Sequence, residues 1–188
     1  MGAASKLVVI SGPAGAGKGT LVARLRAERP GLGLTVSATT RPPRDGERDG
    51  VNYFFLSKEE FERRIEAGEF LEWANVHGNM YGTLMSEVTS KLDAGTSLIL
   101  EIDVQGALQV KEKFPEAVLV FIEPPSLDVL RERLIGRGSE TDETLATRLA
   151  DAEEELALAS RYDAVIVNDD LDAATSELAR AIENYERN

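Results

Sequence analysis

Gly12-Pro13-Ala14-Gly15-Ala16-Gly17-Lys18-Gly19-Thr20 is the stretch that decides the fold. An apolar run, Leu7-Val8-Val9-Ile10, precedes it, and a helical pattern with Leu21, Val22 and Leu25 follows. Strand, glycine loop and helix with a lysine at its start is the layout of a phosphate-binding loop. Glycines let successive backbone N–H groups turn inward around an anion. The new helix adds its unpaired N-terminal donors and the positive end of its dipole. Lys18 reaches the outer phosphates as a point charge. The usual pattern places Ser or Thr directly after the lysine. Here Gly19 intervenes and the hydroxyl comes at Thr20, which points to Mg²⁺ held largely through water rather than by this loop.

Apolar runs alternate with helical patterns along most of the chain. Ser97-Leu98-Ile99-Leu100-Glu101-Ile102-Asp103 reads as a strand buried on both faces and ending in acids, Ala117 to Glu123 as another, and Ala164 to Val167 as the last. Helices are expected over Lys18–Glu28, from the capping box Ser57-Lys58-Glu59-Glu60 to near Gly68, over Thr83–Asp93, Val104–Lys113 and Ser126–Ile135, from Thr141 to about Ser160, and from Asp170 onward. This alternation predicts an α/β fold with a parallel sheet and helices on both faces, its ligand site at the strands' carboxyl ends. The region from about Ser37 to Ser86 breaks the alternation and reads as an inserted subdomain. Within it Leu34 to Thr40 is β-prone, Val51 to Leu56 and Phe70 to Val76 read as strands, and Gly78, Asn79 and Gly82 read as turns around Tyr81.

Composition narrows the function. One domain suits 188 residues, and 43% apolar content supplies a core. With no cysteine, disulfides and thiolate metal sites are excluded, and the single histidine, His77, excludes multi-histidine sites and reads as structural. No apolar run suits a signal peptide or a membrane span, so a cytoplasmic protein without membrane contact is expected. A net charge of −12 argues against nucleic-acid binding. It also gives weight to the few places where cations gather: Arg41, Arg44 and Arg48 in one loop, and Arg131, Arg133, Arg137 and Arg148 later.

Two further stretches carry chemistry. Arg41 and Arg44, around Pro42-Pro43, suit a bidentate fork onto a phosphate, although the same composition suits a solvated charged loop. Glu72 beside Trp73 offers a carboxylate to the two N–H donors of a guanine edge, with Thr83 for the carbonyl side, although a strand glutamate at the surface looks the same in sequence. These segments, with Glu101-Ile102-Asp103-Val104-Gln105-Gly106, Arg133 to Glu140 and Val165-Ile166-Val167-Asn168-Asp169-Asp170, together resemble the guanylate kinase family over nearly the whole chain.

The resemblance implies a three-layer P-loop nucleoside monophosphate kinase fold: a core over 1–36, 87–135 and 150–188, a GMP-binding subdomain over about 37–86, and a lid over about 136–149. It implies transfer of the γ-phosphoryl group of ATP to GMP or dGMP with Mg²⁺, and no obligatory protein partner. By resemblance, residues Gly12 to Thr20 bind the ATP phosphates, and Arg133, Arg137 and Arg148 clamp ATP and the moving phosphoryl group. Asn168 falls near the ATP base. Arg41 and Arg44 bind the GMP phosphate with Tyr53 and Tyr81, and Glu47 orients the arginine loop. Ser37, Glu72 and Thr83 read guanine, joined by Asp103. Catalysis is assigned to Lys18, Arg41, Arg137 and Arg148, with Mg²⁺ near Thr20 and Asp103. Two rivals are a kinase of similar fold with a ribose phosphate as acceptor, and a phosphopeptide-binding relative without catalysis. Glu72 with Thr83 and Tyr81 opposes the first, and the intact loop with Lys18 opposes the second.

Overall fold

The computed structural model describes residues 5–76, 78–136 and 142–187. Among them, strands β1 (Leu7–Ser11), β2 (Gly33–Leu34), β7 (Leu98–Glu101), β8 (Val118–Glu123) and β9 (Ala164–Val167) form a parallel sheet in the order β2-β7-β1-β8-β9. Strand alternation divides β1 between two cores. Val8 and Ile10 join Leu21 and Leu25 of α1 (Lys18–Glu28) and Leu178 and Ile182 of α7 (Leu171–Arg187). Leu7 and Val9 face the opposite way, onto Val88 of α3 (Met85–Asp93) and Val104 and Val110 of α4 (Val104–Lys113). Burial on both faces is why β1, β7 and β8 read as continuous apolar runs. Two more helices, α5 (Leu127–Gly136) and α6 (Asp142–Leu156), pack on each other through Leu130, Leu134, Leu145 and Ala152.

Residues 38–84 build a second sheet, in the order β4-β3-β6-β5, from β3 (Ala38–Thr39), β4 (Phe54–Phe55), β5 (Phe70–Val76) and β6 (Asn79–Leu84). Its core forms against α2 (Lys58–Glu66), where Phe61 and Phe70 stack with ring centres 4.2 Å apart. Such a ring pair contributes about 0.5–1.5 kcal/mol beyond area burial.

The structure corrects several expectations. The β-prone run 34–40 divides between the two sheets: Leu34 ends β2, and Ala38 begins β3. The strand expected over 51–56 shrinks to Phe54–Phe55, because Asn52 Oδ1 and Asp49 Oδ1 accept from the backbone of Arg48 and Phe55 and hold a turn. Gly82 lies inside a strand and not in a turn. A Cβ there would meet Glu72 O at 2.7 Å and Trp73 Cβ at 2.9 Å, so glycine permits close approach of β6 to β5. Thr83 and Leu84 therefore belong to β6, and α3 starts at Met85. Asp103 is the N-cap of α4 and not part of β7. The helix expected to run to Ser160 ends at Leu156, followed by a single 3₁₀ turn, Ala159–Arg161. Half of the capping box forms: Ser57 Oγ accepts from Glu60 N, while Arg63 and Arg64 take the Glu60 carboxylate and hold it at about 2. His77, Arg137, Gly138 and Thr141 lie outside the described residues.

Gly82→Ala is expected to cost about 1–3 kcal/mol, since the new methyl overpacks a backbone contact. Urea unfolding measures it, and an unchanged midpoint would contradict the strand assignment.

Candidate active site

The loop after β1 is held from three sides. Gly12 has φ 137°, and a Cβ there would lie 2.2 Å from the Ile122 carbonyl oxygen. Gly15 and Gly17 also have φ near 90°, conformations that side chains rarely adopt. Asn168 follows β9, and its Nδ2 donates to Ala16 O at 2.7 Å. Its own N donates to Glu123 O, and its carbonyl accepts from Arg133 Nη2 at 2.9 Å. Buried Asn168 thus ties the loop to the end of β8 and to α5. Lys18 opens α1, and its Nζ donates to Gly12 O at 2.5 Å and Pro13 O at 3.1 Å.

Two cavities flank the loop. One, of about 510 Å³, is lined by Lys18, Thr20 and Glu101 among others. The other, of about 390 Å³, is lined by Gly15, Thr20, Arg133 and Asn168 among others. Glu101 and Glu155 are carboxylates beside Lys18 that sequence reading missed. Burial pushes both up, and Lys18 pulls both back. The acidic end of β7 was a usable signal for Glu101. Glu155 sits in an acid-rich helix and gave none. Arg148 lies seven residues before Glu155, on the same stripe of α6, and is exposed.

In the second sheet, Arg41 and Glu47 form one unit. Arg41 Nη2 donates to Glu47 Oε1 at 2.9 Å, and Nη1 donates to Pro42 O at 2.7 Å. Glu47 Oε2 accepts from the Arg44 backbone N at 2.7 Å. The Arg41 guanidinium, then the Arg44 N–H, hold Glu47 below the ordinary carboxylate range. Glu47 in turn raises Arg41. The guanidinium carbon sits 5.5 Å from the Tyr53 ring centre, and Tyr53 and Tyr81 meet edge-on at 6.1 Å. Arg41, Glu47, Tyr53 and Tyr81 therefore cluster, while the Arg44 side chain is exposed beside them.

Glu72 on β5 pairs with Thr83 on β6, and both are buried, at 6% and 0% exposure. Burial pushes Glu72 up. The nearby Thr83 hydroxyl favours the charged form, and Asp103 opposes it. The approach of Thr83 Oγ1 falls short of hydrogen-bond geometry, so that hydroxyl is buried without a partner. Asp103 spends Oδ1 on the Gly106 N–H as the cap of α4. Ser37 precedes β3, and its carbonyl accepts from Phe54 N. A cleft of about 380 Å³ separates the end of β5 from α6, with Asp103, Gln105, Asp151 and Glu155 on its walls. Among the described residues no group of three or more acidic or histidine side chains stands ready for a metal. No described helix is long and apolar enough to cross a membrane.

The guanylate kinase family model matches residues 4–185. The chain is 51% identical over 178 residues to a guanylate kinase of Fusobacterium nucleatum, covering 95% of this chain and 96% of that one. It is 54% identical over 176 residues to a guanylate kinase of Symbiobacterium thermophilum, covering 94% and 83%. The crystal structure of guanylate kinase from Anaplasma phagocytophilum superposes with a TM-score of 0.75 at 31% identity, over 100% of this chain and 89% of that one. A shikimate kinase from Bacteroides thetaiotaomicron shares the fold alone, with a TM-score of 0.53 at 15% identity over 95% of this chain and 98% of that one. A match of this extent and identity, on a chain whose glycine loop and second sheet carry the expected side chains, means that the chain belongs to the guanylate kinase family.

Proposed function

We propose that this protein transfers the γ-phosphoryl group of ATP to GMP, releasing ADP and GDP, with dGMP as an alternative acceptor. The observation that carries the acceptor is the Glu72–Thr83 pair. A buried carboxylate that accepts, next to a buried hydroxyl with no partner, complements the two N–H donors and the carbonyl of guanine. Adenine presents the opposite pattern and would leave the carboxylate unpaired, at about 1–3 kcal/mol. Asp103 and Ser37 complete this base site.

Arg41 and Arg44 receive the GMP phosphate, with the Tyr53 and Tyr81 hydroxyls beside them. Glu47 orients the pair, since it holds the Arg41 side chain and the Arg44 backbone at once. The loop from Gly12 to Thr20 receives the ATP phosphates, with Lys18 leaving the Gly12 and Pro13 carbonyls to reach them. Arg133, Arg137 and Arg148 complete the clamp, and Asn168 borders the ATP base. Phosphoryl transfer asks the protein mainly to position groups and neutralise spreading charge. One phosphate oxygen of GMP attacks the γ-phosphorus as the bond to the β-phosphate oxygen breaks. The attacking oxygen is already anionic, so no general base is needed. We assign the region 37–86 to the acceptor and the region 136–149 to a lid that excludes water.

Mg²⁺ suits this site. It takes oxygen ligands, retains waters, and often uses one or two carboxylates with substrate phosphates. The Thr20 hydroxyl and the Glu101 carboxylate line one cavity with Lys18 and supply that donor set. Asp103, engaged as a helix cap, is the weaker candidate. When bound, Mg²⁺ neutralises phosphate charge.

Lys18→Ala is expected to lower kcat by about 100-fold or more, as loss of a preorganised charge does. Turnover near the parent value would contradict its role. Glu72→Gln is expected to raise KM for GMP at least tenfold, about 1.4 kcal/mol, with KM for ATP little changed. Equal losses for both nucleotides would remove Glu72 from base reading. The same variant tests the electrostatics of the free protein. A carboxylate raised by burial contributes stability below its unfolded value, and that contribution is lost as pH rises through the folded value. Raising the pH toward neutrality therefore removes the favourable contribution of the buried Glu72. Glu72→Gln should melt at or above the parent there, with the difference shrinking below the ordinary carboxylate range. A lower Tm for the variant at neutral pH would contradict this.

A further inference from the structure

The register of β5 against β6 shifts between Phe70 and Glu72. Phe70 pairs with Leu84 and Glu72 pairs with Thr83, which leaves Leu71 as an extra residue. A bulge of this kind re-aims the side chains around it. Plain alternation would put Phe70 and Glu72 on one face of the strand. Instead Phe70 stacks on Phe61 in the core of the second sheet, Leu71 enters the core of the main sheet, and Glu72 stands opposite Thr83. The direction of Glu72 thus depends on the bulge keeping its place.

Helix α4 grips β5 at this point. Lys113 Nζ donates to the Phe70 carbonyl at 2.9 Å, and Gln109 Oε1 accepts from Trp73 N at 3.5 Å. At the other end of the same helix stands Asp103, whose Oδ1 accepts from Gly106 N. Gly106 is itself a helix-interior glycine, and a methyl there would lie 3.3 Å from Glu72 Oε2. Positions 103, 106, 109 and 113 follow helical spacing, so one stripe of α4 runs along the bulged strand.

We infer that Lys113 is a positioning residue for acceptor specificity: by holding the Phe70 carbonyl it fixes the bulge that turns Glu72 toward the base. The inference rests on the reading of Glu72 as the group that reads guanine. Lys113 bonds the backbone two residues before Glu72 and sits at the far end of α4 from Asp103. It acts through the strand and not on the nucleotide. Its ammonium also favours the charged form of Glu72, against Asp103.

Steady-state kinetics of Lys113→Met, which keeps the apolar stem, and Lys113→Arg, which keeps the cation, test this. In Lys113→Met, KM for GMP should rise about tenfold, the usual weight of one hydrogen bond from a charged donor. kcat and KM for ATP should stay within about twofold, because the lost contact serves acceptor binding alone. Lys113→Arg should recover most of the GMP affinity. Emission from Trp73, the single tryptophan of the chain, should shift in the methionine variant and return in the arginine variant. If Lys113→Met melts below the assay temperature, Lys113→Gln serves the same comparison. An unchanged KM for GMP, equal losses for GMP and ATP, or no recovery with arginine overturns the inference. A parent enzyme that fails to prefer GMP over AMP overturns the reading of Glu72 itself, and this inference with it.

Discussion

Gly12 carries the chain past the Ile122 carbonyl at a distance that leaves no room for a side chain. This close approach fixes the glycine loop against β8, at the edge of the sheet where the strands end. The parallel register does the rest. Ile10 lies level with Glu101, and Ser11 lies level with Phe121, so the ends of β7 and β8 arrive beside the loop. Asn168 arrives after β9 and bonds Ala16. The loop, the start of α1 and Lys18 thus gather at one end of the sheet. A sheet buried on both faces is the rigid support that such a site requires.

The charge distribution follows from the same economy. A chain of net charge −12 repels the anions it handles unless cations are placed locally. Arg41 is the best-placed cation of the second sheet, held by Glu47 and packed near two aromatic rings. Lys18 has two carboxylates, Glu101 and Glu155, within electrostatic reach. Around Glu72 the sign reverses: it is buried beside Asp103, with the Lys113 ammonium bonded to the strand at Phe70. Under the proposed function, a phosphate end lined by cations and a base end lined by carboxylates set the direction in which a guanine nucleotide lies. The cleft between β5 and α6, walled by Asp103, Gln105, Asp151 and Glu155, is acidic as well.

Much of this was legible in the sequence. The glycine loop, the three buried strands of the central sheet and the caps at Ser57, Ser126 and Asp170 follow from local chemistry, and they stand where expected. The second sheet was harder to read. Gly82 looks like a turn because its reason for being glycine lies across the ladder, in the backbone of Glu72. The run 34–40 looks continuous because nothing local marks a change of sheet. The bulge at Leu71 leaves no trace in composition, yet it sets Phe70 in the core of the second sheet and Glu72 opposite Thr83. Glu155 was hidden for the opposite reason: it lies among many acids, and only the fold brings it near Lys18. Non-local contacts carry these features, and local propensity does not record them.

The central claim is that one protein holds ATP at the glycine loop and a guanine monophosphate at Glu72, with their phosphates meeting near Lys18. The most direct measurement is the initial rate of ADP formation, with ATP and Mg²⁺, across GMP, AMP, UMP and ribose 5-phosphate as acceptors. The account predicts rapid turnover with GMP. For every acceptor that lacks the guanine edge, it predicts that the specificity constant falls by about 100-fold or more, about 2.7 kcal/mol. Comparable rates with AMP or with the bare ribose phosphate would contradict it.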